Sequence, residues 1–404
     1  MKPSEGDVFY VRACNREFLE KGESGGAVAA LLKFALESGS VDAVLGVKKG
    51  ADIYDAVPVL ITDPEEISEI SGSLHCGTLL LSRLFSSYLE GAEGLRIAAA
   101  LKGCDVMGLY ELAKRGKLRL ENILMLGLNC GGSISPETAR EMLAEKFSVD
   151  PDSVKKERIS KGKFIVETPE GEFSFPMDEL EEEGYGRRSN CRRCMLKIPR
   201  QADLACGEWG VMGTEATFVE VCSVKGAELL ERAKTSGSVE TTLPVPKGLE
   251  IREKIEQSML NLAADWRKKD FMALGEGKAR LQKLVDETSR CIKCYTCIEV
   301  CPPLAGANVS DFTVDAPGKV PPSFAFHTLR YSLVADSCIN CGQCEELCPM
   351  DIPNALFMHS FAVELQELYG YRAGEDLSVP KVAPMEVFLR EKEQGKEPEK
   401  SGKW

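Results

Sequence analysis

The sequence predicts an α/β domain, then a helical linker and a small cysteine-rich domain. Between about residues 7 and 240, short apolar runs alternate with helical patterns, which is typical of an α/β domain. Pro244 and Pro246 favour an extended boundary, and the Glu-, Lys-, Leu- and Ala-rich stretch that follows favours helix. Two cysteine-rich phrases then lie in residues 291–349. We therefore place the domains at residues 1–245, 246–290 and 291–355, with a C-terminal extension over 356–404 whose charged end we expect to be disordered.

The elements of the first domain follow from the period of the apolar residues. Helical spacing at i, i+3 and i+4 predicts helices within residues 27–39 and 78–91. Compact runs rich in Val, Ile and Leu predict strands at residues 42–47, 57–62, 95–101, 122–128, 164–168 and 218–224.

The two cysteine phrases share one spacing, C-x2-C-x2-C-x3-C-P. This run binds [4Fe–4S] clusters, and two copies predict a two-cluster ferredoxin-like domain in which the fourth cysteine of each phrase binds the other cluster. One predicted cubane therefore uses Cys291, Cys294, Cys297 and Cys348, and the other uses Cys338, Cys341, Cys344 and Cys301. The interval from residue 302 to 337 is long for a compact ferredoxin, and it indicates either a helical variant or an insertion that meets a partner.

Zinc and disulfides are the alternatives for these cysteines. A zinc ion takes four ligands in tetrahedral geometry, and each phrase crowds too many sulfurs into one turn for that. Disulfides belong to oxidising compartments, and the first fifteen residues show no apolar signal segment. We therefore expect a cytoplasmic protein with clusters.

Composition excludes several classes of function. The formal net charge is −13, so the chain lacks the basic surface that nucleic acids require. No run approaches the roughly 20 apolar residues of a membrane span, so we expect a soluble protein. The chain has sixteen cysteines and only three histidines, which leaves little material for histidine-based metal sites or Ser-His-Asp catalysis.

A second, looser cysteine set lies in the first domain. Cys191 and Cys194 form one C-x2-C, which by itself fits zinc, a redox dithiol or a further cluster. Cys104 and Cys130 each follow a predicted strand, and the ends of neighbouring strands are where α/β sheets place ligands. After Cys130, Ser135 is predicted to cap a helix whose amides could face an anionic centre.

Three loops with glycine suggest a planar cofactor that carries phosphate. Paired glycines at Ser24-Gly25-Gly26 precede a predicted helix and could admit a pyrophosphate, or could form an ordinary tight turn. The loop Gly207-Glu208-Trp209-Gly210 has the same two interpretations. Lys161-Gly162-Lys163 could reach a phosphate or be a surface hairpin. No G-x-G-x-x-G follows a first strand, so a standard dinucleotide site is not supported.

Motifs in a fixed order carry a family resemblance. The stretch from residue 24 to about 240 resembles the coenzyme F420 hydrogenase/dehydrogenase beta-subunit family, and with both cysteine phrases nearly the whole chain resembles its formate dehydrogenase members. Two positions depart from the family's usual Asp-Gly-Gly and Pro-Cys, namely Ser24 and Gly103. The motifs are SGGAVAALL, GSLHCG, KGCDVMGL, LMLGLNCGG, ISKGKFIV, NCRRC, ADLACGEWG and CINCGQCEELCPMDIP.

The resemblance implies FAD and a third [4Fe–4S] cluster in the first domain. The cysteines that match the family's ligand positions are Cys104, Cys130, Cys191 and Cys194, with Cys206 as the next contender. The implied FAD contacts are Ser24, Gly25, Gly26, Ala27, Gly72, Ser73, His75, Lys161, Lys163, Asp203, Gly207, Glu208, Trp209 and Gly210.

The resemblance also implies partners, and the counting of electrons leads to a hypothesis for their path. Electrons would enter at the C-terminal clusters, pass to the third cluster and FAD, and leave as hydride on coenzyme F420. Formate would be oxidised on a separate molybdenum or tungsten subunit, and a heterodisulfide reductase complex is a further partner. The alternatives are a beta subunit of a hydrogenase or of a heterodisulfide reductase-linked enzyme, and a flavin-free electron relay.

Overall fold

The computed structural model describes residues 2–305, 319–375 and 377, which divide into two compact units. The first unit contains residues 2–106 and 118–268, and the second contains residues 107–117 and the described residues from 269 onward. Residues 306–318 of the interval between the phrases, and the charged C-terminal end, lie outside the described residues. No helix among the described residues is long and apolar enough to cross a membrane.

An eight-stranded sheet forms the centre of the first unit, in the order β11-β1-β10-β9-β5-β4-β2-β3. The four strands β9, β5, β4 and β2 are parallel, and antiparallel strands flank them on both sides. The strands are β1 (Val8–Ala13), β2 (Ala43–Lys49), β3 (Ala56–Ile61), β4 (Ile97–Lys102), β5 (Ile123–Leu128), β9 (Leu204–Gly207), β10 (Thr217–Val221) and β11 (Val239–Thr242).

All six predicted strands are present, one of them in a second, three-stranded antiparallel sheet. That sheet consists of β6 (Lys156–Ser160), β7 (Lys163–Thr168) and β8 (Gly171–Pro176). The run predicted to end at residue 224 ends instead at Val221, because Ser223 caps the following helix by accepting a hydrogen bond from the Gly226 amide.

Helices cover the main sheet and bury its apolar residues. The core includes Leu31 and Leu32 of α2, Val44 and Leu126 of the sheet, and Leu230 of α8, all essentially inaccessible to solvent. The helices of this unit are α1 (Arg16–Lys21), α2 (Ala27–Glu37), α3 (Ser82–Tyr88), α4 (Gly103–Lys114), α5 (Pro136–Met142), α6 (Met177–Glu182), α7 (Ser189–Arg192), α8 (Val224–Thr235) and α9 (Pro246–Leu274); the later residues of α4 and α9 belong to the second unit.

The second unit is helical where it is described. The segment predicted as a linker contains α9 and α10 (Gly277–Thr288), and the division between the units falls at residue 268. The cysteine phrases contribute two short helices, α11 (Thr296–Glu299) and α13 (Gln343–Glu346). The helices α12 (Phe324–Ser332) and α14 (Asn354–Tyr369) pack with them around a core that includes Phe326 and Phe357.

Candidate metal centres and cofactor loops

The two cysteine phrases adopt the same local backbone. Positive φ angles occur at Lys293 and Tyr295 in the first phrase, and at the equivalent Asn340 and Gly342 in the second. This conformation costs a non-glycine residue roughly 1 kcal/mol, so its repetition indicates a shape that the cysteines require. In each phrase the amide two residues after the first cysteine donates to that cysteine's Sγ, at 3.3 and 3.5 Å. Each turn therefore directs backbone N–H groups toward its sulfurs.

The first cavity of the second unit joins one phrase to the last cysteine of the other. It measures about 410 Å³ including its open mouth. Four cysteines line it, three from the first phrase and one from the second: Cys291, Cys294, Cys297 and Cys348. Of these, Cys294 is exposed at the surface. The four predicted ligands of the first cubane thus share one cavity.

The second cavity has the reciprocal arrangement and measures about 470 Å³ including its mouth. Cys338, Cys341 and Cys344 line it together with Cys301 of the first phrase. Cys297 lies on the boundary and also contributes to this cavity. The cysteines therefore group across the two phrases, as the predicted exchange of fourth ligands requires.

Both cavities combine cysteines with apolar surroundings. The described residues contain no group of three or more His, Cys, Asp or Glu side chains placed to hold one metal ion. A cubane binds each thiolate through a different iron, so its cysteines surround it at a distance from one another. The surroundings of both cavities are apolar, including Phe326, Val334 and Met358.

One cation, which no sequence pattern indicated, lines both cavities. Arg330 on α12 is 3% exposed and lines each of them. Burial favours the neutral form of Arg330 and so acts to lower its pKa. The charges of four neighbours nevertheless raise its pKa overall: Tyr331, Cys297, Cys344 and Cys291. Burial, followed by the charges of Cys341 and Cys301, raises the pKa of the Cys344 thiol, so a bound metal or a nearby cation must stabilise its thiolate.

The first unit brings its own four cysteines together at the carboxyl ends of β4 and β5. Cys104 lies in the first turn of α4 directly after β4, and Cys130 follows β5. The segment with Cys191 and Cys194 meets them, because the Cys130 amide donates to the Lys197 carbonyl at 2.9 Å. Gly132 leaves room for this approach, since a Cβ there would lie 3.0 Å from the Cβ of Cys191.

Electrostatics link all four of these thiols. Burial, together with the thiolates of Cys191 and Cys194, raises the pKa of Cys130 to about 11. Burial also raises the pKa of Cys104, which Cys130 and Cys191 influence in turn. The four thiols therefore lie close enough together to influence one another's ionisation.

Basic side chains surround these four cysteines, and no sequence pattern indicated them. At Cys191, burial opposes the thiolate, but Arg188, hydrogen bonds from Ser133 and the charge of Lys197 lower the pKa. Lys197 and Arg193 are 2% and 1% exposed. A spacing pattern could not reveal them, because lysines and arginines are ordinarily surface residues.

Cys206 lies apart from the four. Its side chain belongs to the apolar core of the main sheet, within β9. Burial raises its pKa to about 12, and the charged groups that influence it are Cys222 and Arg252. The geometry therefore favours Cys130, not Cys206, as the neighbour of Cys191.

The glycines of the loop before α2 are explained by close packing. Gly25 and Gly26 have φ of 65° and 64°. A Cβ on Gly25 would lie 2.5 Å from Ala216 Cα, and one on Gly26 would lie 2.3 Å from the Phe18 carbonyl oxygen. Ser24 Oγ donates to the Ala216 carbonyl, and Ala27 is fully buried. These contacts satisfy the tight-turn interpretation without a ligand.

The four loops implied to bind FAD nevertheless converge electrostatically. Partial desolvation and the carboxylate of Glu23 raise the pKa of Glu208, while His75 and Lys161 lower it. Burial opposes a charged His75, but its hydrogen bond to Glu157, with Nδ1 2.9 Å from Oε2, raises the pKa. The loops before α2, before α3 and after β9, and the β6–β7 turn, thus face a common region.

The remaining loop residues have separate roles. Lys161 and Gly162 both have positive φ, so they form the two-residue turn of the β6–β7 hairpin, with Lys161 and Lys163 exposed. Asp203 accepts hydrogen bonds from the Met125 amide at 2.8 Å and from Ser223 Oγ at 2.5 Å. Both of its carboxylate oxygens are therefore occupied in tying β5 to the start of α8.

The other members of the implied FAD set are more open. Gly72 and Ser73 lie on the loop before α3 and are partly or fully exposed, Gly72 with a φ of 99°. Gly207, Glu208 and Trp209 are partly or fully exposed after β9. Gly210 is buried and its carbonyl accepts from Tyr10 Oη at 2.6 Å.

Three models of known protein families match the chain. Two family models, described as coenzyme F420 hydrogenase/dehydrogenase beta subunit N-term and C terminus, match residues 8–85 and 94–247. A 4Fe-4S dicluster domain model matches residues 290–352.

Full-length relatives were also found. The chain is 44% identical to F420-dependent formate dehydrogenase subunit beta of Methanocaldococcus jannaschii, over 92% of this chain and 97% of the relative. It is 45% identical to F420-dependent formate dehydrogenase 1 subunit beta of Methanococcus maripaludis, over 93% and 97%. A chain of the F420-reducing [NiFe] hydrogenase complex from Methanosarcina barkeri superposes with a TM-score of 0.56 at 22% identity, covering 65% of this chain and 91% of that one.

Proposed function

Because the chain belongs to the coenzyme F420 hydrogenase/dehydrogenase beta-subunit family, we propose that it is the electron-transfer beta subunit of an F420-dependent formate dehydrogenase. The observation that carries this proposal is the extent of the match. Formate dehydrogenase beta subunits align over 92–93% of the chain. The coenzyme F420 hydrogenase beta subunit of Methanothermobacter thermautotrophicus aligns over 64% of this chain, although 94% of its own length is covered.

The clusters are the first part of the proposal. Two cubanes would occupy the two cavities of the second unit, each with three cysteines of one phrase and the fourth of the other. A third would be held by Cys104, Cys130, Cys191 and Cys194. Cubanes pass single electrons. The exposure of Cys294 makes the first cavity the natural point at which a formate-oxidising partner delivers them.

FAD is the second part, on the loops that contain Ser24, His75, Lys161 and Glu208. Their support is the convergence of charges around Glu208. When bound, FAD accepts electrons singly and delivers a pair as hydride, which is the form that coenzyme F420 takes up. The chain's own contribution is to hold the loops in place: the His75–Glu157 pair fixes one, and the Ser24–Ala216 contact fixes another.

The decisive experiment replaces one cysteine of the first unit. Cys191→Ser should abolish formate-dependent reduction of coenzyme F420 by the anaerobically purified complex, and it should lower the iron content from about twelve to about eight per chain. Cys14→Ser is the matched control, because Cys14 is an exposed cysteine of the same unit outside the group. Unchanged activity in Cys191→Ser, or about eight irons and no flavin in the unaltered protein, would overturn the proposal in favour of a simple relay.

The partner decides between the formate dehydrogenase and its relatives. Copurification from the native organism under anaerobic conditions should retain a molybdenum- or tungsten-containing subunit. Recovery of a nickel-containing subunit instead would assign the chain to a hydrogenase.

A further inference from the structure

A single buried arginine lies at the boundary of the two cluster cavities. Arg330 lines both of them, as does Cys297, and it is 3% exposed. It occupies the last turn of α12, so the helix fixes its backbone. Its position is therefore set by the packing that forms the cavities themselves.

Within the part of the chain that the structure describes, no carboxylate pairs with the charge of Arg330. Its NH2 group donates to Asn354 Oδ1 at 2.7 Å, and the guanidinium lies 4.2 Å above the Tyr331 ring. Its Nε is buried without a hydrogen-bond partner among the described residues. Asn354 also accepts from Tyr331 Oη at 3.0 Å and donates to the Cys344 carbonyl at 3.1 Å, which anchors the group beside the second phrase.

The contrast with Arg115 in the same unit sharpens this point. Arg115 is also buried, but it pairs with the Glu111 carboxylate at 2.7 Å. A buried charge is unfavourable unless an opposite charge compensates it. For Arg330 the available anions are the cysteine thiolates of both cavities.

We propose that Arg330 is a fixed positive charge shared by the two C-terminal cubanes, which raises the reduction potential of both. This inference rests on the proposed cluster assignment. A cubane with four thiolates is anionic, and reduction adds one further negative charge to it. A cation in a poorly solvated site stabilises the reduced form more than the oxidised form. Because one guanidinium borders both cavities, it stabilises the reduced form of either cubane. The difference in reduction potential between the two cubanes therefore stays small.

The test is a redox titration of the full complex followed by electron paramagnetic resonance. In Arg330→Gln, at a potential where half of the C-terminal cubanes of the unaltered protein are reduced, the ratio of reduced to oxidised cubane should fall about tenfold, equivalent to 59 mV for a one-electron couple. Arg330→Lys retains the charge and should restore most of the ratio. Arg372→Gln removes an exposed arginine of the same unit and should leave the ratio unchanged.

Iron content separates this inference from the proposed function. If Arg330→Gln loads its iron fully and titrates like the unaltered protein, the inference is wrong while the cluster assignment stands. If the unaltered second unit holds no cubanes, the assignment itself fails. If Arg330→Gln does not load iron, the variant Asn354→Asp serves for the test instead. Its new carboxylate neutralises the charge of the same guanidinium, and its side chain has almost the shape of asparagine. A fully loaded Asn354→Asp variant with unchanged potentials would equally refute the inference.

Discussion

The buried carboxylate of Glu111 should stabilise the second unit more than any exposed ion pair. It is inaccessible to solvent and receives four polar contacts. Lys114 Nζ lies at 3.1 Å, Arg115 NH1 at 2.7 Å, Tyr371 Oη at 3.0 Å and the Gly374 amide at 2.7 Å. The contacts of Tyr371 and Gly374 tie the segment after α14 to residues 107–117.

Glu111→Gln removes the charge and keeps the shape. It leaves two cations, Lys114 and Arg115, whose side chains are 2% and 5% exposed. A buried charge that loses its partner destabilises a protein by about 3–5 kcal/mol. At about 1.4 kcal/mol for each factor of ten, amide exchange by local opening should accelerate on the order of 10²–10³-fold.

Hydrogen exchange with mass spectrometry on the peptide 107–117 measures this under anaerobic conditions. Glu375→Gln is the matched control, because its partner Arg372 is exposed and such pairs contribute roughly 0–1 kcal/mol. Adding Lys114→Met to Glu111→Gln should slow exchange again, since one uncompensated charge is gone. The reasoning is refuted if Glu111→Gln exchanges within about tenfold of the control.

Three further predictions test other parts of the structure. The double variant Cys291→Ala/Cys348→Ala should lose about four irons per chain, because both cysteines line one cavity. The double variant Cys291→Ala/Cys301→Ala should lose about eight, because these cysteines belong to two cavities. Equal losses would contradict the exchange of fourth ligands. The hydrogen bond to its carboxylate partner raises the pKa of His75 against the effect of burial. The stabilisation of the fold by this pair is therefore complete below about pH 6.5 and is lost as pH rises through the raised pKa. The difference in Tm between the unaltered protein and His75→Gln should shrink between about pH 6 and 9, and a constant difference would refute this. Gly26→Ala should lower the Tm by more than about 4 °C. The new Cβ would lie 2.3 Å from a carbonyl oxygen, and residue 26 has a φ of 64°. An unchanged Tm would show that the loop can rearrange.

The α/β alternation and the six predicted strands were visible in the sequence because buried strands are compact runs of Val, Ile and Leu. The short strand β9 was missed, since Leu204–Gly207 offers only four residues and includes a cysteine and a glycine. β1 and β11 were missed as well; β11 has only one buried residue in its pattern. Their assignment depends on pairing with partners distant in the chain, which local patterns do not encode.

At the candidate sites, too, local sequence patterns predicted only part of how the cysteines are arranged. The position of Cys104 and Cys130 was predictable, because parallel strands end at one edge of a sheet. The convergence of Cys191 on them was implied only by the family resemblance, because local spacing does not encode the close approach that Gly132 permits. Cys206 remained a contender in the sequence for lack of any local signal that its side chain points into the core.

By itself the sequence determined the phrases C-x2-C-x2-C-x3-C-P, and with them the local turn, because three sulfurs and their amides are fixed within a few residues of backbone. It also determined the family, through motifs in a fixed order. The same phrases predicted that Cys348 joins the first phrase and Cys301 the second, through the exchange of fourth ligands. Only the tertiary structure decided that Arg330 lies against both cavities. The physical reason is that ligand spacing is a short-range property of the chain, whereas the burial and charge around each sulfur arise from helices that pack together from far apart in sequence.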